Sequence, residues 1–122
     1  MSVYKDIFEN SPIPRLVTKA SENGFFTFEA ANAQASLYFE RPLDEILDKN
    51  PLDVFDGDLG EYIHQAIKSC VRTKKTTTVQ SIADIVGNPN IQAFIFNPLL
   101  DDNGDVTRVD MIARVNLPHN IQ

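Results

Sequence analysis

The chain of 122 residues, 43% apolar and 23% charged, has the composition of one folded domain with one core, and is too short for two. A net charge of −6 argues against a protein built to hold phosphate backbones or anionic lipid, since both need clustered Lys and Arg. The single cysteine, Cys70, excludes an internal disulfide and gives no metal-ligand spacing. The opening "MSVYKDIFENSPIP" lacks the basic start and apolar run of a signal peptide, and no segment approaches the ~20 apolar residues that span a bilayer. The expectation is a soluble cytoplasmic domain that binds neither nucleic acid nor membrane.

Tyr4 to Glu9 predicts a short helix, stopped by Ser11-Pro12. Val3, Tyr4, Ile7 and Phe8 fall on helical spacing, and an apolar stripe on a terminal helix must be covered by its own sheet or by a partner. These four are therefore the candidate dimer contact. Ile13 to Lys19 reads as a strand and Gly24 to Ala30 as its partner, joined by "KASENG", in which Asn23-Gly24 favours a tight hairpin. The parity of the second strand is open: either Phe26 and Phe28 or Phe25 and Thr27 face inward.

Between Phe28 and Phe55 the chain breaks at Arg41-Pro42 and again at Asn50-Pro51, which leaves three short helical pieces. Asn32 suits the cap of the first, because its side chain accepts the free N–H bonds of an opening turn. Pro51 suits a first helical position, where no hydrogen bond is lost. A longer helix follows, with Asp58 as N-cap, Glu61 completing a capping-box-like pair, and an end near Lys74. Leu59, Tyr62, Ile63, Ala66, Ile67, Cys70 and Val71 form its apolar face. The basic cluster Arg72 to Lys75 falls at its end, where the helix dipole favours cations.

From Thr76 onward the texture is that of strands: "TTTVQSIADIV", then "IQAFIFNPLL" after a turn at Gly87 to Asn90. "VTRVDMIARVN" follows the Asn-Gly turn of "DDNGD", with Val109, Met111, Ala113 and Val115 on one face. The order implies an α+β domain: five antiparallel strands, with short helices and one longer helix packed on one face.

The chain resembles a PAS domain over nearly all of its length. Sensor members of that family often begin with a phrase close to "lfenSPigi", and Phe8 to Pro14 reads "FENSPIP". Asn32 matches the family's Asn near the end of the second strand. "PLDEILDK" (Pro42 to Lys49) matches its acidic helical phrase, with Glu45 on the most characteristic position, and "PLLDDNGDV" (Pro98 to Val106) matches its late turn. Two glycines expected in the stub region are replaced by Glu40 and Asp48. Arg114-Val115-Asn116 stands where many members end with Asp-Ile-Thr.

The resemblance implies a helical cap over 1–12, a PAS domain over 13–117, and a tail over 118–122 leading to an output domain outside these residues. Such outputs are histidine kinases, diguanylate cyclases or transcription regulators. It implies a sensor module that converts ligand occupancy or partner binding into a changed dimer arrangement. No nucleophile with a paired base, no Gly-rich phosphate loop and no two-histidine metal spacing suggests an enzyme.

Some PAS domains hold haem on a histidine of the long helix. A helical wheel puts His64 about 115° from the centre of the apolar face, at the rim. Flavin-adduct chemistry in the superfamily uses a cysteine in an Asn-Cys-Arg-Phe-Leu-like phrase that does not occur here, and Cys70 reads as a small core hydrophobe. Neither cofactor is expected, nor any covalently bound one. The candidate lining of an internal pocket is Phe28, Phe55, Ile63, Ile67, Cys70, Phe94, Phe96 and Met111, with Phe26 depending on strand parity. With no Lys or Arg among them, a guest would be a small apolar or aromatic molecule. The alternative is a fully packed core and a protein–protein docking domain without a ligand.

Overall fold

A computed structural model describes residues 8–20, 25–55, 57–80 and 90–115. In chain order, β1 (Arg15–Ala20) and β2 (Phe26–Ala31) are followed by α1 (Ala33–Phe39), a 3-10 turn (Leu43–Glu45), α2 (Pro51–Val54) and α3 (Gly57–Thr73). Then come β3 (Thr77–Gln80), β4 (Ile91–Leu100) and β5 (Val106–Val115). The strands form one five-stranded sheet in the order β2-β1-β5-β4-β3, and the four pairings are all antiparallel.

Strand β1 starts at Arg15, two residues later than its sequence pattern suggests. Pro12 and Pro14 carry no N–H for a ladder, and Pro14 contributes only its carbonyl, which accepts from the Ala113 amide. Pro98, by contrast, sits inside β4. It lies beyond the last β3–β4 pair, Thr77 with Phe96, where no ladder bond needs its missing N–H. Asp101 closes the β4–β5 hairpin, its Oδ1 accepting from the amides of Asn103 and Asp105, while Gly104 takes φ 83°.

The helical pieces lie on one face of the sheet. Phe26 and Phe28 point into that side, and Phe25 is exposed, which decides the parity of β2. They meet Leu16 of β1, Phe94 and Phe96 of β4, Val109, Met111 and Ala113 of β5, and Ile63, Ile67 and Cys70 of α3 in one core. At the free edge of β2, the Asp48 amide donates to the Phe28 carbonyl and the Phe28 amide donates to the Lys49 carbonyl. The stubs thus cover an edge that would otherwise expose unpaired backbone groups.

Two readings of α3 need correction. Asp58 stands within the first turn of a helix that begins at Gly57, so it is not the N-cap; its carboxylate still sits at the end the helix dipole favours. Tyr62 is 48% exposed, and the buried stripe runs instead through Gly60, Ile63, Ala66, Ile67 and Cys70. Gly60 comes so close to the Phe55 carbonyl that no Cβ fits between them, which draws α2 against α3 along that side and leaves Tyr62 at the margin. Of the predicted N-terminal helix only Phe8 and Glu9 are described, and both are helical. Val3, Tyr4 and Ile7, the Asn23-Gly24 turn, the stretch after Gln80 and the tail lie outside the described residues.

Candidate functional site

All eight interior candidates converge. Phe28, Phe55, Ile63, Ile67, Cys70, Phe94, Phe96 and Met111 are each at most 4% exposed and belong to one cluster. Their rings meet edge to face: Phe28 with Phe55 at 6.0 Å between centroids, and Phe94 with Phe96 at 6.3 Å. Phe39 of α1 bridges the two pairs, 4.9 Å from Phe55 and 5.9 Å from Phe94. Such contacts add modestly to the area each ring buries. The Cys70 thiol donates to the Phe96 carbonyl at 3.6 Å, and burial pushes its pKa up to about 11. A thiol so placed stays protonated at neutral pH and is a poor nucleophile.

His64 lies at the rim, half-buried, with its ring tilted against Phe26 at 5.3 Å. Its Nδ1 and the Thr18 hydroxyl are sealed from solvent without a protein partner. Among the described residues no three His, Cys, Asp or Glu side chains gather as metal ligands, and no helix is long and apolar enough to cross a membrane.

Asn32 caps α1 as its sequence position suggests, accepting from the Ala35 amide at 3.0 Å. It also does more. Its Oδ1 accepts from the Arg15 amide at 3.0 Å, and its Nδ2 donates to the carbonyls of Phe8 at 3.1 Å and Ile13 at 2.9 Å. Nothing local in the sequence announces those three bonds, since their partners lie 17 to 24 residues away.

The face of the sheet opposite α3 carries a second feature that sequence reasoning missed. A groove of about 720 Å³ opens there, lined by Phe8, Arg15, Val17, Glu29, Leu47 and Arg108 among others. None of the eight interior candidates lines it. Two ion pairs cross strands beside it: Arg15 with Asp110 at 2.9 Å, and Arg108 with Glu29 through two hydrogen bonds. The hydrogen bond from Arg108 holds the Glu29 carboxyl below the usual range against a smaller opposing effect of burial, and raises Arg108 in turn. The Arg15 guanidinium lies 6.0 Å from the centre of the Phe8 ring, within cation–π range. The only signal available in sequence was the polar half of the strand alternation, which does not say which charges meet.

The sequence family described as PAS fold matches residues 8–115. No curated protein sequence matches the chain. Among solved structures, the PAS domain of Bordetella pertussis BvgS is similar with a TM-score of 0.70 at 13% identity, over 98% of this chain and 88% of that one. A sensory box sensor histidine kinase from Vibrio cholerae gives 0.69 at 10% identity, over 96% and 92%. A Rhodobacter sphaeroides LOV protein gives 0.65 at 11% identity, over 88% of this chain and 61% of that one. Identities this low speak for the fold alone. The match across residues 8–115, with the antiparallel sheet and its single helical roof, places the chain in the PAS family.

Proposed function

We propose that this PAS domain is a non-catalytic sensory module of a cytoplasmic signalling protein, and that it relays its signal through homodimerisation at its N-terminal segment. The observation that carries this reading is Phe8. It is the last residue of the apolar stripe Val3, Tyr4, Ile7 and Phe8, and it remains only half-buried beside the outer groove. On the same face Val17, Ile95 and Ile112 are also left partly open. A partly uncovered apolar face joined to an apolar terminal stripe suits a self-complementary contact between two copies. The output would be a histidine kinase, as in the similar Vibrio cholerae protein, or a diguanylate cyclase or transcription regulator.

Sedimentation equilibrium tests the dimer. The wild-type chain is expected at twice its 13.7 kDa mass, and Ile7→Glu at the single mass. A wild-type monomer at the highest concentration reached would end this reading.

A second reading, an internal apolar ligand, is favoured by the way the eight candidates, from α3, three strands and Phe55 just after α2, gather in one uncharged cluster. Native mass spectrometry against the denatured mass distinguishes it, since a non-covalent guest adds mass only in the native spectrum. Neither reading requires a cofactor. Cys70 is held as a thiol against Phe96, away from adduct chemistry, and His64 packs on Phe26 at the rim, away from the position of a central haem ligand.

A further inference from the structure

Asn32 is 1% exposed, and its side chain uses every hydrogen bond it can make. An amide has two donor hydrogens and one oxygen with two lone pairs. Here both hydrogens go to the carbonyls of Phe8 and Ile13, and both lone pairs go to the amides of Arg15 and Ala35. Three of these partners belong to the segment that enters from the N-terminus. The fourth is in the opening turn of α1, on the helical side of the sheet.

The amide group is planar and rigid, and hydrogen bonds weaken steeply once their angles fail. Asn32 therefore cannot follow a displaced Phe8 carbonyl without tilting its oxygen away from Ala35. The N-terminal segment has a second tether. The Phe8 ring packs against the Arg15 guanidinium, which Asp110 holds from β5. Phe8 is thus gripped by its carbonyl and by its ring, and both grips lead to residues that share the Asn32 oxygen or border it.

We propose that Asn32 is a positioning residue that couples the N-terminal segment to the first turn of α1, so that loosening one loosens the other. Its use in signalling rests on the N-terminal reading above, but its existence does not. The coupling is reciprocal, as any coupling free energy between two sites must be.

The test is amide hydrogen exchange by NMR on the whole chain, with Phe8→Ala and Asn32→Asp singly and together. Phe8→Ala removes the ring tether, and the Ala35 amide should then exchange about fivefold faster or more. Asn32→Asp keeps the oxygens that accept from Arg15 and Ala35 but loses both donors, so the amides of Ser11 and Ile13 should exchange roughly tenfold faster. In the Asn32→Asp background, adding Phe8→Ala should accelerate Ala35 clearly less than in the wild type, because the carbonyl link is already cut and only the path from the ring through Arg15 remains. Asn32→Ser, which also retains a capping oxygen, repeats the experiment if the aspartate variant does not fold.

Three results would overturn the coupling: an Ala35 amide indifferent to Phe8→Ala in the wild-type background, the same acceleration in both backgrounds, or a uniform change that includes Ile67 in the core. A monomeric wild type would remove the proposed dimer relay and leave the exchange result standing. A dimer with no exchange coupling would remove only the role of Asn32.

Discussion

Among the described residues three exposed side chains, Glu40, Asp48 and Lys74, sit on left-handed backbone that they disfavour, and the first two bear on the stubs. Glu40 ends α1 at φ 56° and ψ 45°, and Asp48 lies at φ 65° where the stubs meet the edge of β2. These are the two positions where the family resemblance calls for glycine. Left-handed backbone costs a residue with a Cβ about 1–2 kcal/mol. Glycine avoids that cost but loses about 0.5–1 kcal/mol more chain entropy on folding. Neither side chain is buried, so little packing is lost. The Glu40 amide keeps its bond to the Ser36 carbonyl, and the Asp48 amide its bond to Phe28. Glu40→Gly should therefore stabilise the fold by about 0.5–1 kcal/mol. Asp48→Gly should gain less, since Asp tolerates this region better than Glu. At an unfolding entropy of about 2.1 cal/mol/K per residue, the chain of 122 residues gives a rise in Tm of roughly 2–4 °C for Glu40→Gly, read by thermal unfolding under circular dichroism. Glu40→Ala is the control, because it removes the side chain but retains the Cβ, and it should bring no comparable gain. If alanine stabilised as much as glycine, or if glycine lowered Tm, backbone strain at this position would not be the cause.

Gly60→Ala should destabilise by about 2–4 kcal/mol in urea unfolding, although alanine is ordinarily the better helix former, because the new Cβ meets the Phe55 carbonyl and must push α2 off α3; a gain in stability would refute the close approach. The Glu29–Arg108 pair should stabilise the fold at neutral pH and stop doing so in acid. A carboxyl whose folded pKa is depressed contributes stability that is present above its unfolded pKa and lost as pH falls through the lower, folded value. Glu29→Gln should accordingly cost a few tenths of a kcal/mol at pH 7, as partly exposed pairs do, and nothing once the pH is below that folded value; a loss that persists there would show that the ion pair is not its source. Cys70 in the native protein should resist thiol reagents at pH 8 and react at the rate of an ordinary thiol in urea, and rapid native labelling would contradict both its burial and its raised pKa.

Local signals were legible wherever a residue's role depends on its neighbours in the chain. The Asn50-Pro51 start of α2, the Asp101–Gly104 turn and the Asn32 cap each work through bonds spanning five residues or fewer. The buried stripe of α3 follows from helical period, except where Gly60 let another backbone approach and displaced Tyr62 to the margin. The absent glycines at positions 40 and 48 could be read as departures, and the structure gives them their physical meaning as left-handed residues.

Sequence alone therefore determined the elements, their order and the apolar set that becomes the core, because turn chemistry and side-chain periodicity act over a few residues. Tertiary structure decided what those elements share. Period-two alternation is the same whichever face is buried, so only packing against α3 turned Phe26 and Phe28 inward and Phe25 out. Strand order brought Arg15 to Asp110 across 95 residues and Arg108 to Glu29 across 79. The same assembly gave Asn32 donors' work at Phe8 and Ile13, because two side-chain hydrogens find their carbonyls only once the chain before β1 has been laid against the end of β2.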